Sequence, residues 1–112
     1  MAVDKQERRL QRHLARAIER YRPMLIALVL GDLSPGDFEM QFFAIWGDDD
    51  DNRYVADDAF RVFEEFAFAV DDYVDNPELR GHVSDHDLGP EELKDRAREL
   101  LRRAGFDPPL ET

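Results

Sequence analysis

The chain has 112 residues, 26 acidic and 15 basic, for a net charge of −11, and 43% of it is hydrophobic, with eight Phe, three Tyr and one Trp. That is the length of one domain with enough large apolar side chains to build a core, which excludes an extended disordered polymer. The absence of cysteine excludes a disulfide framework, a thiolate metal site and a thiol nucleophile.

In chain order, Leu10, Leu14, Ala17, Ile18 and Tyr21 recur at helical spacing, with Arg8, Arg9, Arg12, Arg16 and Arg20 on the other faces. This predicts an amphipathic helix over about residues 4–21. Pro23 then either kinks it or opens a new helix. The run from Met24 to Leu30 is apolar on all sides, as expected of a buried helix. It is too short to span a bilayer. A charged segment follows Met1, Ala2 and Val3, where a secretory signal would turn apolar. The expectation is a cytoplasmic protein without membrane contact.

Ser34, Pro35 and Asp37 form a helix start, with Ser34 as the cap and Pro35 in the first turn. Phe38, Phe42, Ile45 and Trp46 make the following stripe, and Gly47 with Asp48 to Asn52 marks an exposed loop. The next helix is expected from about Tyr54 to Val74, with Phe60, Phe63, Phe66, Ala67, Val70 and Tyr73 at core spacing. Asn76 and Pro77 end it, and residues 75–89 are the longest expected loop. Gly89, Pro90, Glu91 and Glu92 open the last helix, whose stripe is Leu93, Ala97, Leu100, Leu101 and Ala104, with Gly105 as its stop. The fold class is all-α: an antiparallel four-helix bundle with an additional N-terminal amphipathic helix. Its organisation is a basic helical extension over 1–21, an acidic bundle over 22–105 and a loosely ordered tail over 106–112.

The charge is segregated. Residues 1–22 hold seven basic and three acidic groups, residues 23–92 hold three and nineteen, and residues 93–112 hold five and four. The net charges are +4, −16 and +1. A field of one sign on one region suits the steering of a basic partner and repels nucleic acid and anionic membranes, so neither is an expected ligand.

Catalytic and metal chemistry find little support. An EF-hand starting at Asp48, Asp50 and Asn52 needs Gly and Glu where Arg53 and Ala59 stand. His82, Asp85, His86 and Asp87 form a looser cluster that a polar loop explains equally well. Ser34 is a helix cap, and Ser84 is the only other serine for a nucleophile. Adjacent acids such as Glu64 and Glu65 point in different directions on a helix and make no shared-proton pair. The expectation is a protein with no enzymatic activity and no cofactor. Tyr54 and Tyr73 adjoin acidic segments, where a tyrosine ring suits an interface.

The order of these blocks resembles the colicin D immunity protein family. The segment Leu28 to Glu39 is similar to that family's short turn and Phe-Glu helix start, and Trp46 and an acidic loop follow it. Then come the Phe-rich helix ending in the run from Val70 through Asp71, Asp72, Tyr73, Val74, Asp75, Asn76, Pro77, Glu78 and Leu79 to Arg80, and the last-helix opening from Asp87 to Leu93. The resemblance implies a small antiparallel helical bundle without activity. Its partner would be the basic nuclease domain of a toxin, in this branch one that cleaves tRNA, covered by acid where RNA phosphates would lie. By position it marks Asp71, Asp72, Tyr73, Asp75, Glu78 and Asp87; charge alone adds Asp85, with Asp57 and Asp58 as further candidates. The basic residues 1–20 depart from the family pattern and are open to three roles: packing on the bundle, offsetting its field, or joining two chains as a homodimer. The Asp48 to Asp51 loop is an alternative binding face. The alternative functions are an acidic interaction module regulating another basic protein, or a metal-binding bundle.

Overall fold

The computed structural model describes residues 5–48, 57–73 and 88–107. Five helices are present among them: α1 (Lys5–Ala17), α2 (Arg22–Leu30), α3 (Pro35–Asp48), α4 (Asp57–Asp71) and α5 (Pro90–Arg103). The only strand-like pairing among the described residues is an isolated bridge between Tyr73 and Leu88.

The first two helices are separate because of Pro23. Its ring cannot donate to the carbonyl of Glu19 and would collide with it, so a continuous helix breaks there. The chain tightens into three-residue turns instead: Glu19 N–H donates to Arg16 O at 3.3 Å, and Tyr21 N–H to Ile18 O at 2.9 Å. Pro23 then sits in the first turn of α2, where a missing N–H costs nothing. Gly31 ends α2 at φ 83°, a left-handed conformation that glycine adopts without strain. Its cap is completed by Asp32 N–H donating to Ala27 O at 2.9 Å.

Ser34 caps α3 as its sequence position predicts, with its Oγ accepting from Asp37 N–H at 3.2 Å. Gly47 does not stop this helix, which runs one residue further to Asp48. α4 is described over Asp57–Asp71 and ends before Asp72 and Tyr73, short of the expected Val74; residues 54–56 and Val74 of the expected span lie outside the described residues. At the start of α5, Gly89 N–H donates to Glu92 Oε2 at 2.6 Å, which closes one half of a capping box.

The core is built on aromatic rings between α3 and α4. Phe38 meets Phe66 at 6.1 Å, Phe42 meets Phe63 at 6.0 Å, and Trp46 meets Phe60 at 6.4 Å. Rising numbers on α3 meet falling numbers on α4, so these two helices run antiparallel. Phe42 is the hub, also touching Tyr21 at 5.3 Å, Trp46 at 5.7 Å and Phe66 at 5.6 Å. Phe38, Phe42, Phe63 and Phe66 are buried, whereas Trp46 and Phe60 are half-buried at the edge of the stack. α5 packs on α2 and α4 through Leu93, Ala97, Leu100 and Leu101.

α1 packs against α4, and Leu14, Ala17, Ile18 and Tyr21 belong to the same buried cluster as the aromatic stack. Tyr21 stands edge-on to Phe63 at 4.8 Å. α1, with Leu14 and Ala17, and the turn after it, with Ile18 and Tyr21, thus contribute an apolar stripe directly to the core, and the arginines of α1 point outward.

Candidate protein-interaction surface

Helix direction sorts the charges into two ends. At one end α4 begins and α5 finishes. There His13 of α1 lies 3.7 Å from Asp58, and the Gln11 side chain lies against Gly105 just past α5. The Arg22 guanidinium, at the start of α2, sits 4.0 Å over the Phe106 ring. α1 brings exposed Lys5, Arg8, Arg9, Arg12 and Arg16 to this end, which also holds exposed Asp48 at the close of α3, Asp58 and Asp107.

At the other end α4 finishes and α5 begins. Leu88 N–H donates to Asp72 O at 2.9 Å, and Tyr73 pairs with Leu88. The two ends of the segment 74–87 are therefore tied together by backbone. Asp71, Glu91 and Glu92 are exposed there, and Asp72 is half-buried. The α2–α3 turn, with exposed Asp32 and Asp37, lies toward this same end, because Phe38 is level with Phe66. Along α5 the bases face acids of their own helix. Lys94 is 3.9 Å from Glu91, Arg98 is 2.6 Å from Asp95, and Arg102 is 2.7 Å from Glu99. Such exposed pairs add only a few tenths of a kcal/mol each, but they cancel the local field of α5.

The residues expected to bind separate accordingly. Asp71 and Asp72 lie together at the acidic end. Asp58 lies at the start of the same helix, about 20 Å from Asp71 along its axis and about 140° around it. Asp58 is 48% exposed, but its Oδ1 accepts from Ala59 N–H at 2.8 Å and faces His13 of α1. The carboxylate is held by the helix start it belongs to. Asp57 is in the first turn of α4, and only its backbone is described. Tyr73, expected at an interface, is 7% exposed and belongs to the core cluster. Its ring anchors the end of α4 from inside. Asp75, Glu78, Asp85 and Asp87 lie outside the described residues, as do Asp49 to Asp51 and the candidate metal ligands His82 and His86.

His13 Nδ1 is buried and makes no hydrogen bond, and its 3.7 Å separation from Asp58 is an ion pair only when the imidazole is protonated. A shallow groove between α4 and α5 is lined by Val62, Glu65, Phe66, Arg96, Glu99 and Arg103, a mixed-charge surface without a nucleophile. Among the described residues, no three His, Asp or Glu side chains come together as a metal site, and no helix is long and apolar enough to cross a membrane.

Three exposed apolar residues escaped the sequence reading: Leu30, expected in a buried helix, Met40 and Phe68. Phe68 lies in the middle of the Phe-rich helix, off its apolar stripe, and is 60% exposed. The signal for it was its place in line with Glu64, Asp71 and Asp72 instead of with Phe63 and Phe66.

No family model, curated protein or solved structure matches this chain.

Proposed function

We propose that this protein is an immunity protein that binds and inhibits a cognate bacterial nuclease toxin, a tRNA-cleaving ribonuclease by the family resemblance. Helices α2 to α5 form an antiparallel four-helix bundle with α1 across the end where α4 begins. The acidic end of that bundle covers the basic active-site cleft of the toxin, and carboxylates stand where nucleic-acid phosphates would bind. The protein acts in the cytoplasm, as a binding partner and not as a catalyst.

The observation that carries this reading is the division of charge between the two ends. A coat of acid that serves only solubility has no reason to be balanced unevenly, with the arginine row of α1 brought to the end that holds Asp48 and Asp58 while Asp71 and Asp72 stand at the other. Gathered charge raises the encounter rate with an oppositely charged surface and fixes its orientation. A rigid core beneath it, with Tyr73 and Leu88 pinning the junction, keeps the carboxylates in place before the partner arrives. Protection against a nuclease calls for a nanomolar or tighter complex, about 12 kcal/mol or more.

The test is coexpression with the product of the adjacent reading frame. The expected result is a neighbour that arrests growth alone and is harmless with this protein. A neighbour that is harmless alone, or that remains toxic in its presence, would overturn the proposal. If the partner proves to be a basic protein with no toxicity, the second reading, an acidic regulatory module, takes its place.

A further inference from the structure

Phe68 faces directly away from the core. At about 100° per residue, Ala59, Phe63, Phe66 and Val70 all fall within about 40° of the direction opposite to it. Those four are buried, so no rotamer turns the Phe68 ring inward. Glu64 and Glu65 lie one turn before it and Asp71 and Asp72 one turn after, on the same side of the helix. Arg61, two turns back, is the only base among the described residues of α4. Glu65 also lines the groove with Arg96 and Arg103 of α5, so the acid on the ring's own side of α4 comes mainly from Glu64, Asp71 and Asp72.

A single exposed apolar side chain is ordinary, and the setting of this one is not. Three large hydrophobic residues are exposed among the described ones: Leu30, Met40 and Phe68. Only Phe68 is aromatic, and only Phe68 has carboxylates one turn away on both sides. An aromatic centre ringed by polar groups is the arrangement of interface residues that hold most of the binding energy. Carboxylates alone give fast encounter but a short lifetime, since affinity among related complexes is set mainly by dissociation.

We infer that Phe68 is the apolar anchor of the acidic docking surface. It fits a partner protein whose surface offers an apolar pocket rimmed by Lys or Arg. This rests on the immunity reading and adds to it the residue that sets the lifetime of the complex. The ring enters the pocket while Glu64, Asp71 and Asp72 meet the basic rim.

The experiment measures association and dissociation of the purified product of the adjacent reading frame with four forms of this chain. They are the wild type, Phe68→Ser, Phe68→Leu and the Asp71→Asn/Asp72→Asn double variant. Phe68→Ser is expected to dissociate at least tenfold faster, with its association rate and melting temperature unchanged, and Phe68→Leu to recover most of the lifetime. The double variant is expected to lose association rate instead. If Phe68→Ser dissociates like the wild type while the double variant binds more slowly, the inference is overturned and the immunity reading stands. A loss in Phe68→Ser that comes with a lower melting temperature also counts against it. If the wild type does not bind the neighbour's product at all, the immunity reading fails and this inference falls with it.

Discussion

The two faces of α4 put the same amino acid to opposite uses. On the inner face Phe63 and Phe66 lock into Tyr21, from the turn between α1 and α2, and into rings of α3, and their burial defines the fold. On the outer face, Phe68 stands in water between acids and contributes nothing to the core. One helix thus carries a buried and an exposed phenylalanine face half a turn apart. The lesson is that a phenylalanine-rich stretch need not be all core, and that substitutions two residues apart should have unrelated effects.

Stability measurements break this comparison most easily at its inner side. Phe42 meets six aromatic neighbours and is fully buried, so Phe42→Ala removes the hub of the stack. Chemical denaturation should show a loss of about 3–5 kcal/mol. Gly105→Ala comes next. Its φ of 88° is unfavourable for any side chain, and a Cβ would meet Gln11 Nε2 at 2.5 Å. Because Gln11 is exposed and can swing away, backbone strain dominates, and about 1–2 kcal/mol of destabilisation is expected. Ser34→Ala removes the oxygen that accepts from Asp37 N–H and should lower stability by about 1 kcal/mol in the same assay. At the bottom of the scale stands Phe68→Ser, with a change within about 0.5 kcal/mol. A large loss there would mean that the outer face is structural after all.

Much of the helical layout can be read from the residues. Ser34 and Pro35 announce α3, Gly31 and Gly105 mark two helix ends, and the 3.6-residue spacing of Phe63, Phe66 and Val70 reports the inner face of α4. Periodicity says that Leu14, Ile18 and Tyr21 are buried, but not against what. Their partner, the Phe42 and Phe63 rings, is distant in the chain, and only packing brings it there. The candidate site was legible as a charge total along the sequence. The split between Asp58 and Asp71 was not, because it depends on which helix end each occupies and on His13 arriving from α1. Tyr73 misled for the opposite reason. Acidic neighbours in sequence suggest an interface, yet the pairing of its backbone with Leu88 goes with a ring held in the core.

The central claim is that carboxylates at the end of α4 steer a basic partner, and the most direct test is the salt dependence of association with the product of the adjacent reading frame. Raising ionic strength from about 0.01 to about 1 M shortens the screening length from about 30 to about 3 Å. The wild-type association rate should fall at least about tenfold over that range, and Asp71→Asn/Asp72→Asn should flatten the dependence. A rate that is indifferent to salt, or a double variant whose salt dependence matches the wild type, would contradict the account.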